Sequence, residues 1–314
     1  MPGTAFPRRH SVCADAGLLV NAFRTPDERF DSLPGYDFAP QYVDQDGLRL
    51  HYLDEGEGAP VLLLHGEPTW AYLYRKVIPQ LVPVARVVAP DLFGFGRSDK
   101  PVDREWYSYD SHSESIARFV EGLDLRDVTI VVHDWGGPIG LRVVVERPDC
   151  FARLVILNTG IVSGRPPSET WLRFRDLVRR TGTDFRPGQL VRVGCTRELS
   201  DDVIAAYNAP FPEAEAMAGV LMFPELVPTE PEHPSAQKMR EVREELRGWT
   251  KPALVFFSDS DPVFSPVVAE RFAELIPGAE LQQPVGGAGH FLQEDAGEEV
   301  GQRIAAWLQT STSV

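Results

Sequence analysis

Residues 128–140, Val-Thr-Ile-Val-Val-His-Asp-Trp-Gly-Gly-Pro-Ile-Gly, decide how the rest of the chain is interpreted. Val128–Val132 is apolar and mostly β-branched, without alternation, which is typical of a strand buried on both faces of a parallel sheet. Two glycines and a proline then permit a tight turn, and residues 139–146 have the pattern of a helix. A polar residue between such a strand and such a helix is exposed at the top of the sheet, and here that residue is Asp134.

A strand–turn–helix elbow of this kind presents the nucleophile in α/β-hydrolases, and Asp134 stands where an esterase carries serine. A carboxylate is already ionised at neutral pH. It can displace a leaving group from saturated carbon and form an ester that water can cleave. The alternative is that Asp134 only caps the helix that follows it.

Strands and helices alternate on both sides of this elbow. The sequence predicts a half-exposed strand at 48–53, buried strands at 60–64 and 86–89, an apolar strand at 253–258 and further strands at 154–157 and 280–285. It predicts helices at 71–81, 111–123, 266–275 and 298–308. This alternation indicates an α/β fold with a mostly parallel sheet covered on both faces, so functional residues are expected at the carboxyl ends of the strands.

The alternation stops between residues 160 and 247, where helical stretches at 168–180 and 200–207 are separated by proline and glycine. We predict that 160–247 form a helical cap inserted into a core domain made of 20–159 and 248–314. Such a cap would roof a pocket and exclude water from the chemistry. Residues 1–19 are predicted to be a flexible N-terminal extension, and a misassigned start of the chain would explain them.

Asp134, Asp261 and His290 follow one another in the order nucleophile, acid, histidine that α/β-hydrolases use. Each comes after a predicted strand, so all three are expected at one edge of the sheet. His290 can act as a general base on water if an acid orients its ring and stabilises the imidazolium. Asp261 is the preferred orienting acid, with Asp259 as the alternative.

Glu67 follows a buried strand and a His-Gly pair, in the loop that supplies one oxyanion-hole donor in this fold. The residue after the nucleophile, Trp135, supplies the other. The backbone N–H groups of Glu67 and Trp135 are therefore predicted to stabilise the oxyanion that forms during ester hydrolysis. The Glu67 side chain either hydrogen-bonds a water or only braces its loop.

Composition restricts the possible partners. The chain has 314 residues and a formal net charge of −15, which argues against nucleic acid as a partner. Its three cysteines, Cys13, Cys150 and Cys195, are scattered without metal-ligand spacing, so we predict reduced thiols, a cytoplasmic location and no metal site. No apolar run is long enough to span a membrane.

The other histidines have weaker claims to a catalytic role. His65 and His133 are expected to support their loops. The remaining histidines are interpreted as surface or structural residues: His10, His51, His112 and His233.

Several motifs together resemble the haloalkane dehalogenases across residues 20–308. They are His65-Gly66-Glu67-Pro68-Thr69-Trp70, residues 91–101, Asp134-Trp135-Gly136-Gly137, Tyr207-Asn208-Ala209-Pro210-Phe211-Pro212 and Gly289-His290-Phe291. The resemblance implies the α/β-hydrolase fold, with a mostly parallel eight-stranded sheet, helices on both faces and an inserted helical cap. The branch with an Asp–His–Asp triad and two halide-binding tryptophans fits best.

The resemblance also implies a mechanism without a cofactor. Asp134 would displace halide from a small haloalkane, and water activated by His290 would cleave the resulting ester to alcohol, halide and a proton. Indole N–H groups would stabilise the departing halide, because tryptophan is purely a donor. Trp135 is the first such residue, and the second is Trp171, unless Phe174 occupies that position in the cap.

Two other functions remain open at this stage. An epoxide hydrolase shares the fold and the aspartate nucleophile but needs cap tyrosines, and the cap offers only Tyr207. A non-catalytic ligand-binding protein on the same scaffold is the third possibility. We predict a monomer or a weak homo-oligomer whose partners are a small haloalkane substrate, water and the halide ion. Neither a membrane nor nucleic acid is expected as a partner.

Overall fold

The computed structural model describes residues 20–164 and 168–311, and its main sheet has eight strands. In chain order they are Gln41–Gln45 (β1), Leu48–Glu55 (β2), Pro60–Leu64 (β3), Arg86–Pro90 (β4), Val128–Val132 (β5), Phe151–Ile156 (β6), Ala253–Val255 (β7) and Glu280–Leu281 (β8). Across the sheet the order is β1-β2-β4-β3-β5-β6-β7-β8. The pairs β1–β2 and β2–β4 are antiparallel and the other neighbours are parallel, which confirms the predicted mostly parallel sheet.

Helices cover both faces of this sheet. They are Ile78–Leu81 (α1), Tyr109–Gly122 (α2), Gly136–Glu146 (α3), Glu169–Thr181 (α4), Pro187–Gly194 (α5), Asp201–Asn208 (α6), Ala218–Met222 (α7), Pro234–Glu245 (α8), Pro266–Leu275 (α9) and Leu292–Thr310 (α10). The connection from β3 to β4 and the connection from β5 to β6 run in opposite directions across the sheet. Because parallel crossovers are right-handed, α1 and α3 lie on opposite faces. Helix α2 packs on α3, and α10 packs on α1.

The described residues between β6 and β7 form helices α4 to α8 and contain no strand. Helix α4 begins after Ser168, whose hydroxyl accepts a hydrogen bond from the backbone N–H of Trp171. Helix α6 begins in the same way after Ser200. These caps satisfy backbone donors that a helix start leaves free.

The predicted helix at 71–81 is wrong in its continuity. Ala71–Tyr74 forms a 3-10 helix, and the α-helix is confined to Ile78–Leu81. Pro79 has no backbone N–H to donate to Arg75, so the helix has to start anew at that point.

The half-exposed strand predicted at 48–53 is wrong in its exposure. In β2, Leu48, Leu50 and Leu53 are buried, and so is the polar His51 between them. His51 donates from Nδ1 to the buried carboxylate of Asp91 at 2.7 Å, which satisfies a polar side chain away from water. Alternating polarity therefore did not mean alternating exposure here.

The predicted elements at the C-terminal end of the sheet also differ from the structure. The last strand is shorter than 280–285, although Val285 still forms a bridge to Ser258. Helix α10 begins before residue 298, at Leu292, and contains a non-helical residue at Ala296. Predicted helix 266–275 is found with those bounds.

Candidate active site

Asp134 occupies a sharp turn between β5 and α3. Its φ of 49° lies in the left-handed region, which is uncommon for a residue with a side chain. The glycines that follow let the turn pack closely, because a Cβ on Gly136 would collide with the carbonyl of Leu64. A Cβ on Gly137 would likewise collide with the side chain of Thr159. The Thr159 hydroxyl donates to the Asp134 carbonyl at 2.6 Å, so the strained backbone is held by its surroundings.

The structure brings Asp134, Asp261 and His290 into contact at the carboxyl edge of the sheet. His290 Nε2 lies 3.5 Å from Asp134 Oδ2, and His290 Nδ1 lies 2.9 Å from Asp261 Oδ2. The other oxygen of Asp261 accepts hydrogen bonds from the backbone N–H groups of Val263 and Phe264, at 2.6 and 3.0 Å. The imidazole therefore bridges two carboxylates, one of which is fixed by its own backbone.

Asn158 is a member of this cluster that the sequence analysis did not single out. Its amide nitrogen donates to Asp261 Oδ2 at 2.8 Å and to the hydroxyl of Ser258 at 2.6 Å. The available signal was position, because Asn158 follows β6 as Asp134 follows β5. The alternative acid, Asp259, is exposed and accepts from the backbone N–H of Gly287 at 2.9 Å instead of contacting His290.

The three ionisable groups shift one another's pKa. Burial alone would lower the pKa of His290, but the charge of Asp261 and the hydrogen bond that His290 donates to Asp134 outweigh it and raise the pKa to about 10. Burial alone would raise the pKa of each carboxylate, but its hydrogen bond and charge interaction with His290 lower both pKa values from the usual value for aspartate. At neutral pH these shifts favour an imidazolium between two carboxylates.

Backbone donors surround the other oxygen of Asp134. The N–H of Glu67 donates to Oδ1 at 2.8 Å, and the N–H of Trp135 helps to lower the pKa of the carboxylate. A Cβ on Gly66 would collide with the same oxygen, so this close approach needs glycine. Both predicted oxyanion-hole donors thus lie at Asp134.

The Glu67 side chain is buried beside this hole. Its Oε1 has no hydrogen-bond partner among the described residues. Burial, reinforced by the charge of Asp134, raises its pKa well above the usual value for glutamate. A protonated Glu67 carries a hydrogen-bond donor, which a carboxylate lacks.

His65 and His133 hold the loops on which the site is built. His133 Nε2 lies 2.8 Å from the carbonyl of His290. Burial lowers the pKa of His133 to about 4, so it is neutral and donates to that carbonyl. His65 donates from Nδ1 to the Gly66 carbonyl and accepts at Nε2 from the N–H of Leu92, both at 2.9 Å.

A cavity of about 680 Å³ opens onto Asp134, and both Trp135 and Trp171 line it. Neither indole N–H has a hydrogen-bond partner within residues 20–164 and 168–311. The walls are largely apolar, with Ile161, Val162, Val227, Val263, Phe264 and Val268 among them. Phe174, the alternative to Trp171, does not line the cavity and instead contacts the ring of Phe185.

Comparison with known proteins identifies the family. The family model described as alpha/beta hydrolase fold matches residues 59–297. A relative from Psychrobacter cryohalolentis named haloalkane dehalogenase is 44% identical over 92% of this chain and 98% of its own length. Haloalkane dehalogenase 1 from Mycobacterium tuberculosis is 44% identical over 93% of this chain and all of its own length. The chain belongs to the haloalkane dehalogenase family.

A solved structure supports the same assignment. The haloalkane dehalogenase DpaA from Paraglaciecola agarilytica NO2 is 35% identical, with a TM-score of 0.85, over 90% of this chain and 97% of that one. This haloalkane dehalogenase is accordingly a hydrolase that acts on carbon–halide bonds.

The geometry gives no support to an epoxide hydrolase. Tyr207 is fully buried, and its hydroxyl donates to Glu294 rather than facing the cavity. No tyrosine occurs among the described residues that line the cavity. The tyrosine donors that an epoxide hydrolase needs are therefore missing from the described lining.

Proposed function

We propose that this dehalogenase converts small haloalkanes to alcohol, halide and a proton through an alkyl ester on Asp134. One observation carries the proposal: the Asp134 carboxylate opens onto an apolar cavity that two indoles line, while His290 Nε2 lies 3.5 Å from it. A nucleophile, a halide site and a base are thereby available to one guest molecule.

In the first step, Asp134 attacks the carbon that bears the halogen. A carbon–oxygen bond forms as the carbon–halogen bond breaks, and the halide leaves with the bonding electrons. The indole N–H groups of Trp135 and Trp171 are available to donate to the halide, since neither is used within the described residues. The lowered pKa of Asp134 keeps the nucleophile ionised.

In the second step, the ester is hydrolysed. Esterification removes the charge of Asp134, so the imidazolium of His290 loses one of the interactions that raise its pKa and can release its proton. Neutral His290 then takes a proton from water as the water oxygen adds to the Asp134 carboxyl carbon. The N–H groups of Glu67 and Trp135 stabilise the oxyanion. Collapse releases the alkoxide, which takes the proton from His290 and leaves as alcohol, and Asp134 ionises again.

We further propose that residues 160–247 act as a cap on a core made of 20–159 and 248–314. Trp171 of α4 and Met239 of α8 line the same cavity as Asp134 and Trp135. Closing the cavity from this side limits the entry of water during the displacement step, which strengthens the interactions with the developing halide.

A single turnover in isotopically labelled water tests the ester. We expect the label in the Asp134 carboxylate, and we expect His290→Phe to release one halide per site and accumulate the alkyl-enzyme. His233→Phe, which changes a histidine at the start of α8, should keep steady turnover. Label found only in the alcohol, or steady turnover by His290→Phe, would contradict the mechanism.

The assembly and location of the protein are also proposals. We propose a cytoplasmic monomer or weak homo-oligomer, although the solved relative DpaA is described as tetrameric. Among residues 20–164 and 168–311, no helix has the length and apolar character needed to cross a bilayer. Light scattering at several protein concentrations would distinguish a monomer from a stable tetramer.

A further inference from the structure

The outer part of the cavity carries a cluster of positive charge. Arg243 of α8, Arg247 of the 3-10 turn Leu246–Gly248 and Arg271 of α9 line it, together with the carboxylate of Glu274. Arg247, Arg271 and Glu274 are exposed and Arg243 is half-buried, which separates them from Asp134 in the interior. Three arginines therefore border the cavity in a chain whose formal net charge is −15.

Two of these guanidinium groups have unused hydrogen-bonding capacity. Arg247 is paired with Glu244 at 2.9 Å. Arg243 approaches the same Glu244 only to 3.8 Å, and its Nε is buried without a partner among the described residues. Arg271 has no ion pair or hydrogen bond within the described parts of the chain. A buried donor without a partner destabilises the protein, and an incoming acceptor can offset this cost by forming the missing hydrogen bond.

We infer that the enzyme takes haloalkanes that carry a carboxylate at the end opposite the halogen. This inference rests on the proposed function at Asp134. The halogen-bearing carbon lies at Asp134, the methylene chain runs along the apolar walls, and the carboxylate pairs with Arg243 and Arg271. A guanidinium matches the two oxygens of a carboxylate in a planar pair, and the chain keeps that carboxylate away from Asp134.

The test compares ω-bromoalkanoates with 1-bromoalkanes of the same chain length. At low ionic strength, the best bromoalkanoate should exceed its neutral counterpart in kcat/KM by roughly three- to tenfold, and this ratio should fall in about 0.5 M salt. If the neutral compounds react and every bromoalkanoate is slower, the inference is wrong and the proposed function stands. If no compound releases bromide, the proposed function fails as well.

Variants distinguish a specific effect of Arg243 and Arg271 from the general effect of removing positive charge. In Arg243→Gln combined with Arg271→Gln, the ratio of anionic to neutral kcat/KM should fall at least about threefold. Arg240→Gln removes a positive charge from the same helix, outside the described lining, and should keep the ratio. An equal fall in both variants would overturn the inference.

A charge reversal is expected to increase activity towards a cationic substrate, and misfolding would not produce such an increase. Arg271→Glu should raise kcat/KM for a (6-bromohexyl)trimethylammonium ion relative to 1-bromohexane, because the carboxylate attracts the cation at the cavity mouth. The inference predicts this rise together with the loss on bromoalkanoates. An unchanged ratio for both charged substrates would contradict it.

Discussion

The carbonyl of Gly194, at the end of α5, accepts a hydrogen bond of 2.8 Å from the backbone N–H of His290. The contact is close, since a Cβ on Gly289 would collide with the same carbonyl. Helix α5 belongs to the segment between β6 and β7, whereas His290 belongs to the loop before α10. The proposed cap therefore supports the loop that carries the proposed base.

Asp295 connects the same two parts of the chain through hydrogen bonds. We predict that removing its carboxylate lowers the stability of the protein. Its buried carboxylate accepts from the N–H groups of Gly289, Thr196 and Arg197, at 2.8, 3.0 and 2.9 Å. Asp295→Ala leaves these donors without a charged acceptor, so the free energy of unfolding should fall by about 2–3 kcal/mol in urea titrations. The exposed-residue control Asp37→Asn should change it by less than about 0.5 kcal/mol. Equal changes in the free energy of unfolding would show that the hydrogen bonds of Asp295 do not stabilise the protein.

Asp261→Asn should slow ester hydrolysis much more than halide displacement. The substitution removes the charge that contributes most to raising the pKa of His290, as well as the acceptor that orients its ring. We expect a burst of one halide per site followed by turnover reduced by about 10²–10⁴-fold, measured by rapid-quench halide release. Asp259→Asn, on the same loop but without contact to His290, should show no such burst. A burst in both variants would show that Asp261 has no specific role in supporting His290 as the base.

The two chemical steps should differ in their dependence on pH. Displacement needs ionised Asp134, whose pKa is lowered from the usual value for aspartate by His290, so its rate should be flat from about pH 5 to 8. Hydrolysis needs neutral His290, so its rate should rise with pH through the pKa of His290 in the ester. That pKa should lie below the value of about 10 in the free enzyme, because the ester carries no charge. Single-turnover rates measure both steps, and a hydrolysis rate that falls with rising pH would contradict a neutral base.

Trp171→Phe should weaken halide binding. It removes the indole N–H of a cavity-lining residue, which has no partner among the described residues, so the bromide Kd should rise about tenfold, or ~1.4 kcal/mol, in calorimetric titrations. Phe174→Leu changes a neighbouring residue outside the described lining and should leave the Kd within about twofold. A larger increase in the bromide Kd for Phe174→Leu than for Trp171→Phe would place Phe174, not Trp171, at the halide site.

The sequence by itself determined the central sheet and the order of the three reactive side chains. Continuous apolar runs such as Val128–Val132 indicate parallel strands, because only a sheet covered on both faces buries them completely. The carboxyl ends of parallel strands meet at one edge. Asp134 and Asp261 could therefore be expected to lie together with His290 before any coordinates were known.

Only the tertiary structure decided the contacts between segments that are distant along the chain. Periodicity describes the local conformation of a segment but not its partners, so Gly194 and Asp295 carried no sequence signal that distinguished them from other small or polar residues. The choice of Trp171 over Phe174 as a lining residue depends on the rotation of α4 against the core. Arg243 and Arg271 likewise line one cavity only because the tertiary structure brings segments distant along the chain to its wall.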